Sequence, residues 1–295
     1  MVANALRAPF PWTGGKMRQV SQILPMLPFI TARTKRYIEP FLGAGSLMLA
    51  VLQSENGKRL KYIGTDTNPA LINFWKCLQR DGRKLIKLLR RDEFQSSRGD
   101  DKKTQTKRFA NVKSSFNKTL LNRSRKKVKT LDYVWAAQFL YLVKLCYANK
   151  WQSNPKTGEF TGAFGRSQVL FKKSDLIKTS ELLRRNKVDF RVADCFATIR
   201  TARAGDILYS DPPYYLSKMQ YTGNGESQKP FQEKLANALD EKRRQKVEVI
   251  ISNSDSPVIR HMYPSAKWLR KRVNVNVRLG HGRRLNNHEI LIRSK

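Results

Sequence analysis

The stretch TKRYIEPFLGAGSLMLAVLQ, residues 34–53, decides the fold class of this chain. It predicts a short strand, then a glycine-rich turn, then an apolar helix. The stretch LKYIGTDTNPALINFWKCLQ, residues 60–79, repeats this plan: its strand ends at Asp66, Asn68 can cap the next helix, and Pro69 suits the first helical turn. Strand–turn–helix units in succession predict a parallel sheet with helices on its faces, which is an α/β fold.

The middle of the chain interrupts this α/β pattern. Residues 80–130 are polar and Lys-rich with few strand signals, and residues 95–107 (QSSRGDDKKTQTK) are expected to form an exposed, mobile loop. Residues 132–150 (DYVWAAQFLYLVKLCYANK) predict a strong helix. After it, the Asn-Pro and Thr-Gly pairs of WQSNPKTGEFTGAF, residues 151–164, predict a hairpin with an extended arm.

The α/β pattern returns late in the chain. Strands are predicted at residues 188–194, 206–211 and 247–254, with a basic helix at 231–246. The segments 273–279 and 288–294 predict a terminal antiparallel pair. The simplest architecture is a split α/β catalytic domain made of residues 1–76 and 182–295, with a basic, mostly helical insert at 77–181 between its two parts.

The net charge narrows the choice of partner. The 295 residues include 58 Lys and Arg against 23 Asp and Glu, which gives +35. Within residues 78–130 alone, 18 cations face 5 acids. A polyanion is the natural partner, because each phosphate that is neutralised releases condensed counterions. The alternative is a chain that is basic for solubility alone.

The composition disfavours several classes of protein. No apolar run approaches the ~18 residues of a membrane span, and the N-terminus lacks the apolar core of a signal peptide, so we expect a cytoplasmic protein. The cysteines, Cys77, Cys146 and Cys195, have no ligand-like spacing and predict buried free thiols. The three histidines all follow residue 260, which argues against a zinc site, and no metal is expected.

Ligands of open parallel sheets bind at the carboxyl ends of the strands, and two features of this sequence fall there. In EPFLGAG, residues 39–45, the glycines let the backbone approach a ligand closely. Asp66 ends the next strand, 21 residues after Gly45 (66 − 45), a spacing that suits a carboxylate bonded to ribose hydroxyls. Without a phosphate-binding motif, the pair suggests a nucleoside ligand such as S-adenosylmethionine. Taken singly, each feature also fits a structural turn or a helix cap.

The stretch YSDPPYY, residues 209–215, ends a third strand with unusual residues. Pro212 and Pro213 cannot continue a ladder, so they fix the backbone after Asp211. The Asp211 carboxylate and the Pro212 carbonyl then present two acceptors to one –NH2 group, with Tyr214 as a flat face beside them. The implied guest is the exocyclic amine of a nucleobase. As an isolated tetrapeptide, Asp-Pro-Pro-Tyr also fits an ordinary turn.

Together these motifs resemble the Dam-type (D12 class) DNA N6-adenine methyltransferases, and they occur in that family's order. The resemblance implies a Rossmann-like, S-adenosylmethionine-dependent methyltransferase sheet. The cofactor segments are PFPWTGGK (9–16), IEPFLGAGS (38–46) and YIGTDTN (62–68), the catalytic segment is SDPPY (210–214), the end of the DNA-contacting hairpin is GEFTGAFG (158–165), and the late strands are IISNSD (250–255) and HEILI (288–292).

The resemblance also implies roles for individual residues. The catalytic residues are Asp211, Pro212, Pro213 and Tyr214. The expected contacts to S-adenosylmethionine are Trp12, Lys16, Glu39, Pro40, Phe41, Gly43, Ala44, Gly45, Asp66 and Asp194, the last of which fits a plain strand-end aspartate equally well. The expected DNA contacts are Lys150, Gln152, Asn154 and Arg166 around the hairpin, and Lys126, Lys127, Arg283 and Arg284 on the basic insert and tail.

The implied function is N6-methylation of a flipped adenine in double-stranded DNA, by a monomer associated with nucleoid or viral DNA. Two alternatives stay open: another amino-methyltransferase, acting on cytosine N4 or on RNA, and a catalytically silent DNA-coating protein. The hairpin departs from the family, which commonly has an arginine where Gln152 lies and a proline where Ala163 lies. Since arginine pairs with guanine and glutamine with adenine, a GATC-type target is disfavoured.

Overall fold

The structure is a computed structural model that describes residues 6–27, 30, 33–54, 57, 59–94, 100–126, 130–165, 171–215, 228–278 and 284–295. These residues divide into two units. The described residues from 6 to 15 and from 68 to 192 form the helical unit. Those from 16 to 67, from 193 to 215 and from 228 to 295 form the sheet unit.

Among the described elements, the helical unit holds one strand, four α-helices and two short 3-10 helices, and the sheet unit holds the others. The strands are β1 (Arg36–Glu39), β2 (Lys61–Asp66), β3 (Asp189–Val192), β4 (Ile207–Ser210), β5 (Glu248–Ser254), β6 (Trp268–Arg278) and β7 (Arg284–Ser294). The α-helices are α1 (Val20–Ile23), α2 (Ser46–Gln53), α3 (Pro69–Leu89), α4 (Lys102–Lys126), α5 (Tyr133–Leu145), α6 (Lys173–Arg185), α7 (Cys195–Arg200), α8 (Gln228–Arg244) and α9 (Pro257–Met262). Short 3-10 helices lie at Lys16–Arg18, Leu24–Met26, Asp92–Phe94 and Tyr147–Asn149.

The strands of the sheet unit are ordered β2-β1-β4-β5-β7-β6. The first four run parallel; for example, Tyr37 of β1 pairs with Tyr62 of β2 and with Ile207 of β4. β7 pairs antiparallel with both β5 and β6. The predicted α/β fold with a terminal antiparallel pair is therefore confirmed, and the carboxyl ends of the four parallel strands lie along one edge of the sheet.

The parallel strands are short apolar runs because both of their faces are buried. Ile38, Leu208, Val249 and Ile251 are fully buried within one apolar cluster. The same cluster receives apolar side chains from α7, α8 and α9. These helices therefore cover the sheet, and burial of their apolar faces holds them there.

α5 is the central helix of the helical unit. It is apolar around most of its circumference, packs against both α3 and α4, and is buried from residue 135 to residue 143. Asp132 caps its start, because its carboxylate accepts from the Trp135 amide at 2.9 Å. Asn73 of α3 bonds to the Asp132 backbone amide and carbonyl, which fixes where α5 begins against α3.

One part of the sequence prediction is wrong. Residues 102–107, expected within a mobile loop, form the first turns of α4. Asp101 caps this helix, because its carboxylate accepts from the Thr104 amide at 2.7 Å. The predicted domain boundary at 76/77 falls inside α3, whereas the units divide at 67/68 and 192/193. As limits of functional domains, the predicted boundaries stay a prediction.

The three cysteines are buried free thiols, as predicted. Burial raises the pKa of Cys77 to about 12, so its thiol stays protonated at neutral pH. Within the described ranges, no group of three or more Asp, Glu, His and Cys side chains could hold a metal ion. None of the described helices combines the length and apolar character that crossing a membrane requires.

Asp206, just before β4, ties that strand to β1. Its carboxylate is 1% exposed and accepts from the Arg36 guanidinium at 2.5–3.1 Å and from the Arg203 amide at 2.7 Å. We expect Asp206→Asn to lower the free energy of unfolding by about 1–3 kcal/mol, because the charged acceptor is lost while the guanidinium remains. Chemical denaturation measures this change.

Arg36→Gln, alone and combined with Asp206→Asn, completes a double-mutant cycle for this pair. If the two losses simply add in the double variant, the side chains do not interact and the prediction is wrong.

Candidate active site

Three carboxylates lie at the carboxyl ends of neighbouring parallel strands. Glu39 ends β1, Asp66 ends β2, and Asp211 directly follows β4. Since β1 lies between β2 and β4, the three acids share the sheet edge at which ligands of open α/β sheets bind. The structure therefore brings together the predicted catalytic and cofactor-binding segments of the sheet unit.

The glycine turn after β1 is bonded to the end of β2. Gly43 (φ +47°) and Gly45 (φ +59°) adopt left-handed conformations that side chains disfavour. The Gly43 amide donates to Asp66 Oδ2 at 3.1 Å, and the Leu42 amide donates to the Thr65 carbonyl at 2.8 Å. These bonds hold the turn and Asp66 side by side, as a ribose-binding carboxylate beside a glycine turn requires.

Lys16 holds the Asp211 carboxylate. Its ammonium lies 3.0 Å from Asp211 Oδ1, with Lys16 4% exposed and Asp211 17% exposed. The contact is a buried ion pair in which the ammonium favours the ionised carboxylate through both its charge and its hydrogen bonding. The same ammonium lies 4.7 Å from the centroid of the Tyr214 ring. Lys16 therefore contacts two predicted catalytic residues, and its contact with a cofactor stays a prediction.

Asp211 and Glu39 differ in their protonation at neutral pH. Burial is the main cause that raises the pKa of Asp211 to about 6; the Lys16 ammonium opposes this shift and Glu289 adds to it. Burial raises the pKa of Glu39 to about 8, against the hydrogen bond that it accepts from the Tyr37 hydroxyl at 2.8 Å. Asp211 is thus ionised and can accept from an amino group, whereas Glu39 keeps its proton.

Buried amide side chains fix the backbone after Asp211. Gln232 Nε2 donates to the Pro213 carbonyl at 2.7 Å, and Asn253 Nδ2 donates to Gln232 Oε1 at 2.9 Å. Both side chains are fully buried, and Asn253 Oδ1 accepts from the Tyr215 amide at 3.3 Å. The sequence interpretation missed both residues: Gln232 lies in a basic helix without a motif, and the segment around Asn253 predicts only a late strand.

Tyr214 is held through its hydroxyl, which donates to Glu289 Oε2 at 2.8 Å. Burial, together with the charge of Asp211, raises the pKa of Tyr214 well above its ordinary value, so the hydroxyl keeps its proton and remains a donor. The sequence interpretation missed Glu289, because β7 follows SDPPY by many residues and only its strand character was recognisable.

Asp194 has a structural role in the sheet unit. Its Oδ1 accepts from the Phe196 and Ala197 amides at 2.9 and 3.2 Å and so caps α7. This is the plain strand-end role that the sequence also allowed. A bond from Asp194 to the cofactor stays a prediction.

The other predicted cofactor residues lie in both units. In the sheet unit, Pro40 and Ala44 are buried, and Phe41 is partly buried against the apolar cluster. In the helical unit, Trp12 stacks on Trp151, with ring centroids 5.8 Å apart. Contacts of these side chains with a cofactor stay predictions.

Residues 151–164 form the predicted hairpin in the helical unit, with a bridge across its two arms. Asn154 uses its side-chain oxygen within the hairpin turn, where it accepts from two backbone amides at 2.9 and 3.3 Å. Gln152 is half-buried and Lys150 is exposed. The DNA contacts of these three residues stay predictions.

The remaining predicted DNA contacts are only partly covered by the structure. Lys127, Arg166 and Arg283 lie outside the described residues. Lys126 ends α4, and Arg284 begins β7.

α4 holds the hairpin through side chains that the sequence interpretation missed. Asn117 Nδ2 donates to the Phe160 carbonyl at 3.0 Å, and Asn117 Oδ1 accepts from the Phe160 amide at 2.9 Å. The asparagine amide therefore bonds to Phe160 as a neighbouring strand would. Lys113 Nζ adds a bond to the Gly162 carbonyl at 3.3 Å. A single asparagine in a polar helix gives no sequence signal for this role.

Comparison with known proteins agrees with the geometry of the sheet edge. Residues 12–277 match the family described as D12 class N6 adenine-specific DNA methyltransferase. The chain is 31% identical to the DNA N-6-adenine-methyltransferase of Escherichia phage P1 over 261 residues, which cover 87% of this chain but only 31% of that protein. It is 31% identical to the DNA adenine methylase of Serratia marcescens over 88% of each chain. It is 34% identical to the Type II methyltransferase M.MjaIII of Methanocaldococcus jannaschii, over 69% of this chain and 67% of that one.

The fold and the order of the motifs define a methyltransferase of the Rossmann-like class. The family match extends over most of the sequence. This chain belongs to the D12 class of N6 adenine-specific DNA methyltransferases.

We expect Asn117→Ala to loosen the hairpin, because it removes both side-chain bonds to Phe160 and leaves the backbone groups of that residue without these partners. The free energy of unfolding should fall by about 1–3 kcal/mol. Hydrogen exchange in residues 151–164 should become faster, as measured by mass spectrometry. Asn122→Ala, an exposed change on the same helix, is the matched control, and equal exchange in the two variants would contradict the role of Asn117.

Proposed function

We propose that this chain transfers a methyl group from S-adenosylmethionine to N6 of an adenine that is flipped out of double-stranded DNA. One observation carries the proposal: the ionised Asp211 carboxylate lies beside Lys16 and Tyr214, on the sheet edge that also holds the contact between Gly43 and Asp66. An anionic acceptor, an aromatic ring and a ribose-type carboxylate on one edge suit a nucleobase amine and a nucleoside cofactor.

The same edge fits S-adenosylmethionine. The left-handed Gly43 and Gly45 form a turn without side chains, and the partly exposed Asp66 carboxylate suits the vicinal hydroxyls of a ribose. Glu39, protonated at neutral pH, adds no second negative charge next to Asp211. When bound, S-adenosylmethionine supplies an electrophilic methyl group on its sulfonium.

Asp211 is the residue that acts on the amino group of the adenine. Its carboxylate accepts a hydrogen bond from the adenine N6 amine, with the Pro212 carbonyl as the second acceptor, so the nitrogen lone pair is drawn out of conjugation with the ring. The carboxylate is also the group placed to receive the proton that N6 releases. Positioning and electrostatics provide most of the acceleration, and no covalent intermediate with the protein is needed.

Tyr214 and Lys16 orient the base and the carboxylate. The Lys16 ammonium lies over the Tyr214 ring, so the base stacks on the ring face that Lys16 leaves uncovered. Glu289 fixes the ring through its hydroxyl. Lys16 also favours the ionised form of Asp211.

Double-stranded DNA is the substrate that explains the charge of the chain. Flipping a base out of the duplex costs a few kcal/mol, and contacts between the many cations and the phosphates offset that cost without specifying sequence. Gln152 occupies the hairpin position at which the family commonly has an arginine, which favours adenine over guanine there.

Single-molecule sequencing of DNA methylated by the purified chain tests this function, because it reports the modified base and its sequence context together. We expect N6-methyladenine, and Asp211→Asn should lower the rate by at least about 10²–10³-fold, because the amine loses its anionic acceptor. Asp189→Asn, a change at a partly exposed acid of the helical unit whose side chain is 43% exposed, is the matched control and should methylate as the unchanged chain does.

Other products would point to the alternatives. N4-methylcytosine, or methylation of RNA but not DNA, would replace the proposed substrate. If no nucleic acid is methylated and Asp211→Asn binds duplex DNA unchanged, the chain is a silent DNA-coating protein.

The pH profile of methylation tests the link between Lys16 and Asp211. Because the pKa of Asp211 is raised to about 6 and its carboxylate must be ionised, activity should fall as the pH drops through about 6. Lys16→Gln removes the cation that lowers this pKa, so the acidic limb should move to higher pH, whereas Lys16→Arg should keep it near its original position. If the limb stays in place in Lys16→Gln, another group controls it.

A further inference from the structure

α3 is broken near its middle, and the break redirects its second half. Asp81 has non-helical backbone angles (φ −157°, ψ 87°), and its carboxylate accepts from the Lys84 amide at 2.9 Å, so it caps a second helical segment. Gly82 lies against α6: its amide donates to Ser180 Oγ at 3.2 Å, and a Cβ at this position would lie 2.7 Å from Ser180 Cβ. The direction of the second segment is therefore set by its contact with α6.

This second segment has one apolar and one basic face. Its buried side chains are Leu85, Ile86, Leu88 and Leu89. Its exposed cations, which we call the α3 basic face, are Arg83, Lys84, Lys87, Arg90 and Arg91. The cations recur at intervals of three and four residues, so they form one stripe along the segment and just beyond its end.

The fold does not account for most of these cations. Lys84 lies over the Tyr133 ring at 4.6 Å. Arg83, Lys87, Arg90 and Arg91 make no ion pair with any residue that the structure describes. The Asp81 carboxylate serves as a helix cap, and the exposed Asp92 and Glu93, which follow Arg91, pair with none of these cations. Like charges at this spacing repel one another. A polyanion bound at the stripe would relieve that repulsion.

α6 packs against α3 at the break and carries exposed cations of its own. The Gly82 amide donates to Ser180 Oγ at 3.2 Å, and Gln79 Nε2 donates to the Leu183 carbonyl at 3.0 Å. Lys172 and Lys173 are exposed at the start of α6, next to the acidic Asp175 of its first turn.

We propose that the α3 basic face binds the phosphate backbone of duplex DNA. The DNA bound there flanks the stretch of DNA that the hairpin at residues 151–164 contacts. From Arg83 to Leu89 the helix rises about 9 Å, and Arg90 and Arg91 extend the stripe just beyond its end, a length comparable to a few phosphates measured along the duplex axis. The hairpin is held by α4, whereas the stripe lies on α3, and α5 packs against both helices. Because the stripe lies on α3 and not on the helix that holds the hairpin, we assign it to flanking DNA. The proposal rests on the proposed function only in taking DNA as the polyanion.

The test compares two variants that each replace two arginines and one lysine by glutamine. The first, Arg83→Gln/Lys87→Gln/Arg91→Gln, changes the α3 basic face. The control, Arg59→Gln/Lys61→Gln/Arg203→Gln, changes exposed cations before or at the amino ends of β2 and β4, the edge opposite the candidate active site. Affinity is measured against salt concentration with a short duplex, little longer than the methylated site, and with a duplex several times longer.

On the long duplex, the first variant should lose about 2–3 units from the slope of log K against log salt, because each phosphate contact contributes about 0.9. On the short duplex it should bind and methylate as the unchanged chain does. The control variant should keep the full slope on both. Equal losses in the two variants, or an unchanged slope in the first, would overturn the proposal.

Two further arms separate this proposal from its alternatives. Binding to vesicles of anionic lipid that is lost in the first variant, with DNA binding unchanged, would make the stripe a membrane surface and overturn the proposal. If the unchanged chain methylates no adenine but the first variant still loses slope, the proposed function fails and the surface stands. If methylation is normal and the slope does not change, the surface fails and the proposed function stands.

Discussion

The arrangement of the candidate active site depends on keeping a negative charge on Asp211 in a largely buried position at the end of β4. A carboxylate removed from water is costly unless a cation accompanies it. Lys16, itself 4% exposed, is that cation, at 3.0 Å. Without the Lys16 ammonium, burial would raise the pKa of Asp211 further, so Lys16 beside Asp211 favours the ionised carboxylate at neutral pH. The protonated Glu39 completes the balance, because a second ionised carboxylate on the same edge would oppose the first.

A charged group is useful for recognition only if the backbone that carries it does not move. Pro212 and Pro213 have no backbone N–H, so they cannot continue a strand ladder after Asp211. The carbonyl groups of this segment therefore need hydrogen-bond donors from elsewhere in the protein. Gln232 of α8 provides one for Pro213, and Asn253 of β5 holds Gln232 in turn. These hydrogen-bonded amide side chains connect α8, β5 and the loop after β4. Replacing Gln232 or Asn253 would leave a buried polar group without its partner.

The sequence predicted those features in which a local signal coincides with a structural need. The glycine turn, the cap at Asn68 and the terminal antiparallel pair are of this kind, and all three lie where predicted. The motif order placed Asp66 and Asp211 on one edge because parallel strands have their carboxyl ends together. The start of α4 was missed because its cap lies in a run of charged residues that is equally typical of a loop.

Other parts of the site could not be predicted, because they are contacts between residues far apart in the sequence. Nothing near Lys16 indicates that its partner is Asp211, and nothing near Glu289 or Asn117 indicates Tyr214 or Phe160. Such contacts depend on how the elements pack, which composition and periodicity leave undetermined. Asp194 shows a different limit of prediction from sequence. Its position fits a helix cap and a cofactor contact equally well, and the structure establishes only the cap.

The ion pairs of the acidic residues show which positive charges are neutralised within the protein and which are not. With 23 acids for 58 cations, most cations must lack an acidic partner, and the described acids of the sheet unit are concentrated at particular places. Asp255 pairs with Arg260 and Arg272 on α9 and β6. Asp240 pairs with Arg243 and Arg244 at the end of α8. The first pair joins two elements, the second lies within one helix, and both neutralise neighbouring cations. In the second half of α3, by contrast, the Asp81 carboxylate caps the helix, and Asp92 and Glu93, which are exposed just after the stripe, form no ion pair with its cations among the described residues. Cations left without an ion pair on such a surface are the pattern expected of a protein whose counter-charges lie on its partner.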